Sequence, residues 1–202
     1  MSIQRKIVLA SASPRRAEIL RNAGFEFEII PAEIDESMRP RETAEAYVRR
    51  LAKEKALSVA RQLPIRHGLL HRTVVAADTT VRLEGAILGK PGSAEGARKM
   101  LRRLSGKWHE VLTGLAVMRM GDAGERPHVV VEKTRVEFAR LSRKEIEEYI
   151  KTGEPFDKAG AYAIQGRGGK FIPRIEGCYF NVMGLPLARL YVMLKEIEAV
   201  PM

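Results

Sequence analysis

The sequence predicts an α/β fold with substantial antiparallel content. Three observations carry this. Short apolar runs at 7–10 and 73–78 (IVLA and TVVAAD) have the length and composition of buried strands. Segments with helical apolar spacing and capping residues at their starts alternate with them. Two longer strand-like stretches, 110–120 and 128–139, flank a Gly-Asp-Ala-Gly turn at 121–124.

In chain order, Ile7–Ala10 reads as a strand and is followed at once by a helix start. Ser13 is placed as N-cap and Pro14 as the first helical residue. Ala17, Leu20 and Ala23 share a face, and Gly24 closes this helix. Residues 25–30 (FEFEII) read as a second strand, and 31–42 as a polar loop. A long helix runs from Thr43 to about Gln62, with Ala44, Val48, Leu51, Ala52 and Val59 on one side. After a loop at 63–72, the run 73–78 is a strand that ends at Asp78. Residues 81–89 read as a hairpin through Glu84-Gly85. Ser93 caps a helix that Gly106 ends. Ser142 and Glu145 form a capping box, and that helix ends at Gly153. A glycine-rich loop covers 166–169, and 184–197 is the C-terminal helix.

With 202 residues and 45% apolar content, the chain has enough material for a real core in one domain or two packed lobes. No apolar run is long enough to span a membrane, and the first residues do not read as a signal peptide. The single cysteine, Cys178, excludes a disulfide framework and suits a reducing cytoplasm, with a structural thiol as the plainer reading than a nucleophile. The net charge of +10 suits anionic partners, yet acids are interleaved throughout and no block of like charge marks a nucleic-acid arm. No helix-turn-helix, zinc-binding or aromatic RNA-binding signature is present.

Four local features carry chemistry. In 9–20 (LASASPRRAEIL), Ser11, Ser13, Arg15 and Arg16 surround a helix N-terminus at the end of a strand. Backbone N–H groups, the helix dipole and guanidinium forks there suit a phosphate. The same residues also suit an ordinary capped helix with solvated arginines. Asp78, followed by Thr79 and Thr80, is placed to bind a divalent metal or accept a proton from water, or simply to end a strand. The acidic stretch Glu33, Asp35 and Glu36 makes sense beside phosphates only if a cation bridges it or if one carboxylate activates water; otherwise it is a solvated loop. Lys55 adds a further possible phosphate contact. The stretch 85–92 (GAILGKPG) places Lys90 after the hairpin, but a proline follows it and strands surround it, which excludes a P-loop.

Beyond these features, SASPRR, EIDE, LAKEKA, ADTTV, GKP, MLRRLSG, HEVLTG, DKAGAYAIQG and NVMGLPL occur in an order that resembles the Maf family of nucleoside triphosphate pyrophosphatases, from about residue 7 to residue 194. The resemblance implies a single domain over 1–202. Its fold would resemble that of the inosine-triphosphate pyrophosphatases: an elongated mixed β-sheet with flanking helices, split between two lobes with the nucleotide in the cleft. It implies hydrolysis between the α- and β-phosphates, a divalent metal (Mg²⁺ or Mn²⁺), and a homodimer in the cytoplasm. No stable nucleic-acid partner and no membrane association are expected. By the same resemblance, Asp78 is the proton acceptor. Arg15, Thr79 and Gln165 bear on substrate choice. Ser13, Arg16, Lys55 and Lys90 hold phosphate and Glu36 stands near the metal; the reading of the residues themselves adds Ser11 and Arg15 to the phosphate set and Asp78 to the metal. Glu36, Lys55 and Lys90 join Asp78 in the catalytic set. The motifs SPRR, ADT and YAIQG together resemble the subgroup that takes dTTP and UTP. A purine or modified-nucleotide pyrophosphatase, and a basic binding protein without catalysis, are the competing readings.

Overall fold

A computed structural model describes residues 6–63, 72–120 and 126–199. The expected turn at 121–124 and most of the loop at 63–72 lie outside the described residues. Seven strands form one mixed sheet in the order β2-β1-β3-β5-β6-β7, with β4 paired to β3. The strands are β1 (Lys6–Leu9), β2 (Phe27–Ile29), β3 (Arg72–Leu83), β4 (Ala86–Leu88), β5 (Trp108–Arg119), β6 (His128–Glu137) and β7 (Arg174–Glu176). The helices are α1 (Pro14–Asn22), α2 (Ala44–Gln62), α3 (Ala94–Leu104), α4 (Arg143–Lys151), α5 (Tyr179–Met183) and α6 (Leu187–Ala199). The mixed α/β class expected from the sequence is the one observed. No described helix is long and apolar enough to cross a membrane.

The chain divides into two compact units. The first takes the chain up to Asp78, Thr113–Glu132 and the chain from Gly184; the second takes Thr79–Leu112 and Lys133–Met183. In the first unit β1 runs parallel to both β2 and β3, with Ile7 opposite Phe27 and Thr73. The buried face of α2 packs its Ala52, Ala56 and Val59 with Val8, Val74 and Ala116 of the strands. Burial of these side chains out of water is the main term holding α2 to the sheet. The approach is close: a Cβ on Gly114 of β5 would stand 2.1 Å from the Val48 carbonyl oxygen, so only glycine fits there.

The second unit has its own core, built on Val81, Leu83, Leu101, Leu104, Phe138, Ile146, Tyr149 and Phe171. The hairpin between β3 and β4 turns at Glu84 and Gly85, both at positive φ (51° and 80°), as a two-residue hairpin turn requires. Ser142 and Glu145 form the reciprocal capping box at the start of α4.

Several expectations change in detail. The strand at 73–78 and the first arm of the hairpin are one continuous strand, because Thr79 and Thr80 are β-branched and do not break it. Asp78 therefore lies within β3 instead of at its end. It falls between the pairing with β1, which reaches Val75, and the pairing with β4, which starts at Val81. Residues 167–169 of the expected glycine-rich loop wind into a 3-10 helix that continues to Phe171. The second strand is three residues long instead of six.

Candidate active site

The first group of site residues forms where β1 gives way to α1. The Ala10 N–H donates to the Val75 carbonyl at 2.8 Å, after which the chain leaves the sheet. Ser13 takes the extended N-cap conformation (φ −70°, ψ 116°) and Pro14 opens the helix, as expected. The Ser13 hydroxyl does not cap it, however. The Ser13 N–H instead donates to the Ser11 hydroxyl at 3.2 Å.

The two arginines have different surroundings. Arg16 is buried; its Nε donates to the Gly184 carbonyl at 2.8 Å and its Nη1 to the Ser11 hydroxyl at 2.9 Å. Burial pulls its pKa down, and Asp78 and Glu36 work against that pull. Arg15 is half-buried.

The second group is organised by α2. Lys55 lies on the stripe that also carries Val48, Leu51, Ala52 and Val59, and it is 8% exposed. Its Nζ donates to Asp78 Oδ1 at 2.6 Å and sits 2.7 Å from Glu36 Oε1. One ammonium thus bridges two carboxylates. Burial pushes the Asp78 carboxyl above the usual carboxylate range, and Lys55 and Arg16 hold it back from rising further. Lys55 and Arg16 thus stand against Asp78 and Glu36, so that each buried charge has an opposite neighbour.

Of the three acids in the loop, only Glu36 reaches this cluster. Asp35 accepts from the Ser37 N–H and hydroxyl, both at 2.8 Å, and so serves the loop's own turn. At Glu33 it is the backbone carbonyl that is engaged, accepting from the Ser58 hydroxyl at 3.4 Å.

Residues that sequence reasoning missed fasten this loop to α2. The Tyr47 hydroxyl donates to the Glu36 carbonyl at 3.0 Å. Arg50 makes a forked pair with Glu42 (2.7 and 2.8 Å) and donates to the Ser37 carbonyl at 3.0 Å. The only sequence signal was that Tyr47 and Arg50 are one helical turn apart. The Arg50 guanidinium holds the Glu42 carboxyl down at about 2, from an ordinary 4.5. A depressed carboxyl contributes stability above its unfolded value, and that contribution is lost as pH falls toward its folded value. Glu42→Gln is therefore expected to remove about 1–2 kcal/mol of the stability lost between pH 4.5 and pH 2, allowing for solvent screening. Urea unfolding of the variant and the parent across that range checks it; equal pH slopes would contradict the pairing.

The remaining expected site residues belong to the second unit. Thr79 follows Asp78 in β3, with its side chain on the opposite face of the strand. Lys90 is exposed just beyond β4, beside Gly89, whose carbonyl accepts from the Gly160 N–H at 3.1 Å. Gln165 is exposed in the bend that precedes the 3-10 helix Arg167–Phe171. Cys178 is a free, half-buried thiol whose backbone N–H and carbonyl both bond the Thr134 hydroxyl (3.0 and 3.1 Å), in keeping with a structural residue.

A family model described as "Maf-like protein" matches residues 6–197. A dTTP/UTP pyrophosphatase of Caldicellulosiruptor bescii is 49% identical over 195 residues, covering 96% of this chain and 95% of its own. A dTTP/UTP pyrophosphatase of Methylobacillus flagellatus is 52% identical over 190 residues, covering 94% of this chain and 92% of its own. Among solved structures, the Staphylococcus aureus Ham1 protein aligns with a TM-score of 0.50 at 15% identity, over 95% of this chain and 99% of its own, which is a likeness of fold. Matched over nearly its whole length and about half identical to such relatives, the chain belongs to the Maf-like protein family.

Proposed function

We propose that this protein is a nucleoside triphosphate pyrophosphatase that hydrolyses dTTP and UTP between the α- and β-phosphates, releasing the nucleoside monophosphate and pyrophosphate. The observation that carries this reading is the Lys55 bridge between Asp78 and Glu36 beside a buried Arg16. Family membership and the names of the relatives supply the reaction class.

A nucleoside triphosphate carries about four negative charges at neutral pH, and water must approach its α-phosphorus through that field. The N-terminal end of α1, with Ser11, Ser13, Arg15 and Arg16, offers donors and positive charge for the phosphates. Lys55 and Lys90 add cations that stabilise charge building on the departing pyrophosphate. Asp78, held by Lys55 at a carboxyl pushed up by burial, accepts the proton of the attacking water.

Among the described residues no group of three or more carboxylate, histidine or cysteine side chains converges as a ready-made cage. Two carboxylates supplemented by substrate phosphates are nonetheless a normal magnesium or manganese donor set, so Asp78 and Glu36 fit that role. A divalent cation held by these two carboxylates would supply charge neutralisation and Lewis-acid polarisation of the phosphoryl oxygens. The reading includes a homodimer working in the cytoplasm and no stable nucleic-acid partner.

Arg15, Thr79 and Gln165 bear on substrate choice in this reading. The amide of Gln165 offers a donor and an acceptor, which matches the O2, N3–H and O4 edge of uracil and thymine. A methyl group is worth only about 1–3 kcal/mol in a pocket, so dTTP and UTP are both accepted. Cytosine reverses the pattern at N3 and C4 and is rejected. Pyrophosphate release from a panel of nucleoside triphosphates with Mg²⁺ or Mn²⁺ tests the reading. The panel is expected to show dTTP and UTP turned over well ahead of CTP and the purines. Gln165→Glu is expected to lower kcat/KM for dTTP about tenfold or more, as a site loses its matched donor. A purine preference in the parent protein would replace this reading with its competitor. An unchanged dTTP preference in Gln165→Glu would remove the base-reading role.

A further inference from the structure

The backbone on both sides of Gln165 ends on one carboxylate–phenol pair. Glu154 follows α4 as the first residue of the 3-10 helix Glu154–Asp157. Its Oε1 accepts from the Tyr149 hydroxyl at 2.6 Å and from the Gly168 N–H at 3.0 Å, and its Oε2 accepts from the Arg167 N–H at 3.0 Å. The Tyr149 hydroxyl in turn accepts from the Ala163 N–H at 3.1 Å. The N–H groups of residues 163, 167 and 168 thus meet at a single carboxylate–phenol pair, with Gln165 between them in the chain.

The chemistry of the bend explains the need. The 3-10 helix Arg167–Phe171 starts at Gly166, which has no side chain to cap it. Its first N–H groups require an acceptor, and a negative charge suits a helix N-terminus. Glu154 reaches in from a different element and supplies both. The fit leaves no slack: a Cβ on Gly166 would stand 2.6 Å from Glu154 Oε2, and one on Gly168 would stand 2.6 Å from the Tyr149 hydroxyl oxygen. Tyr149 is 3% exposed and packs edge-on against Phe171, with ring centroids 5.3 Å apart. Burial on its own would raise the Glu154 carboxyl, but the Tyr149 hydroxyl and the two N–H donors hold it below the usual glutamate range.

We propose that Glu154, with Tyr149, is the positioning residue that sets the Gln165 amide and thereby the choice of base. This rests on the base-reading role of Gln165 proposed above. A side chain that selects by hydrogen bonding must be held in direction, and Gln165 lies on an exposed bend that these bonds tie down on both sides.

The test is kcat/KM for dTTP, UTP and CTP in the parent, Glu154→Gln, Tyr149→Phe, Gln165→Ala and the double variant Glu154→Gln/Gln165→Ala, with a thermal melt of each. Glu154→Gln keeps the shape but turns part of the acceptor into a donor that faces N–H groups. It is expected to lower the dTTP-to-CTP ratio about tenfold, and Tyr149→Phe about threefold in the same direction. Gln165→Ala is expected to lower the ratio at least as far. Adding Glu154→Gln to Gln165→Ala is then expected to change it no further, because the two act through one contact. A Glu154→Gln protein that loses rate equally on all three nucleotides would overturn the proposal and leave Glu154 a purely structural residue. A ratio that shifts in Gln165→Ala but in neither Glu154→Gln nor Tyr149→Phe would overturn the clamp and leave base reading intact. A ratio unmoved in Gln165→Ala would overturn the base-reading role itself. If Glu154→Gln melts without a cooperative transition, Tyr149→Phe, which keeps the ring packing, decides.

Discussion

Asp78→Asn is expected to reduce pyrophosphate release from dTTP by about three orders of magnitude, within the ~10²–10⁴-fold range of general-base catalysis, while the protein still melts cooperatively. The substitution keeps the side chain's size inside β3 and removes its ability to take a proton. Asp78 is 7% exposed, and Lys55 is bonded to it at 2.6 Å. The amide oxygen still accepts that bond, and Glu36 still faces the ammonium, so the cluster keeps an acceptor on each side of Lys55. Substrate binding is expected to change far less than turnover, since the phosphate-holding groups on α1 are untouched. A variant that retained most of its kcat would remove Asp78 from the chemistry.

Lys55→Met is expected to have the largest effect on stability, about 3–5 kcal/mol, together with loss of turnover. Removing one partner of a buried ion pair leaves the other buried and uncompensated. Here the loss falls on Asp78, whose side chain is only 10% exposed and whose carboxyl is already pushed up by burial. The diagnostic comparison is the double variant Lys55→Met/Asp78→Asn. With the Asp78 charge removed as well, it is expected to recover part of the stability that Lys55→Met loses, yet none of the activity. Urea unfolding of the four proteins measures this. Additive losses in the double variant would show that the two residues do not act as a pair.

Local chemistry made much of the fold legible. Pro14 after an extended Ser13, the capping box at Ser142 and Glu145, and the Glu84-Gly85 turn are each specified by a few adjacent residues, and each forms where it was expected. Elements that depend on distant partners were not legible. The three-residue β7 exists because it pairs with β6, and nothing within residues 174–176 announces a strand. The continuity of β3 through Asp78 reflects the β-branched Thr79 and Thr80, which outweighed the turn preference of the aspartate.

The candidate site divides in the same way. The type and order of Ser11, Arg16, Lys55 and Asp78 could be read from the chain, and Lys55 even carried a positional signal. It lies seven residues after Val48 and four after Leu51, on the stripe that faces the core, where an unpaired lysine would be costly. Which acid of the loop would meet it could not be read, because Glu33, Asp35 and Glu36 are chemically alike. The Tyr47 and Arg50 contacts settle that choice by fixing the loop backbone on α2. Glu154 was equally hidden. The glycines around 166–169 imply a close backbone approach, but they do not say which carboxylate approaches.

Hydrolysis of dTTP in ¹⁸O-labelled water, followed by mass analysis of both products, tests the proposal that water attacks the α-phosphorus. Label in dTMP, with unlabelled pyrophosphate and no formation of dTDP, is the predicted result. Label in the pyrophosphate, or release of dTDP and inorganic phosphate, would contradict it by placing the attack at another phosphorus.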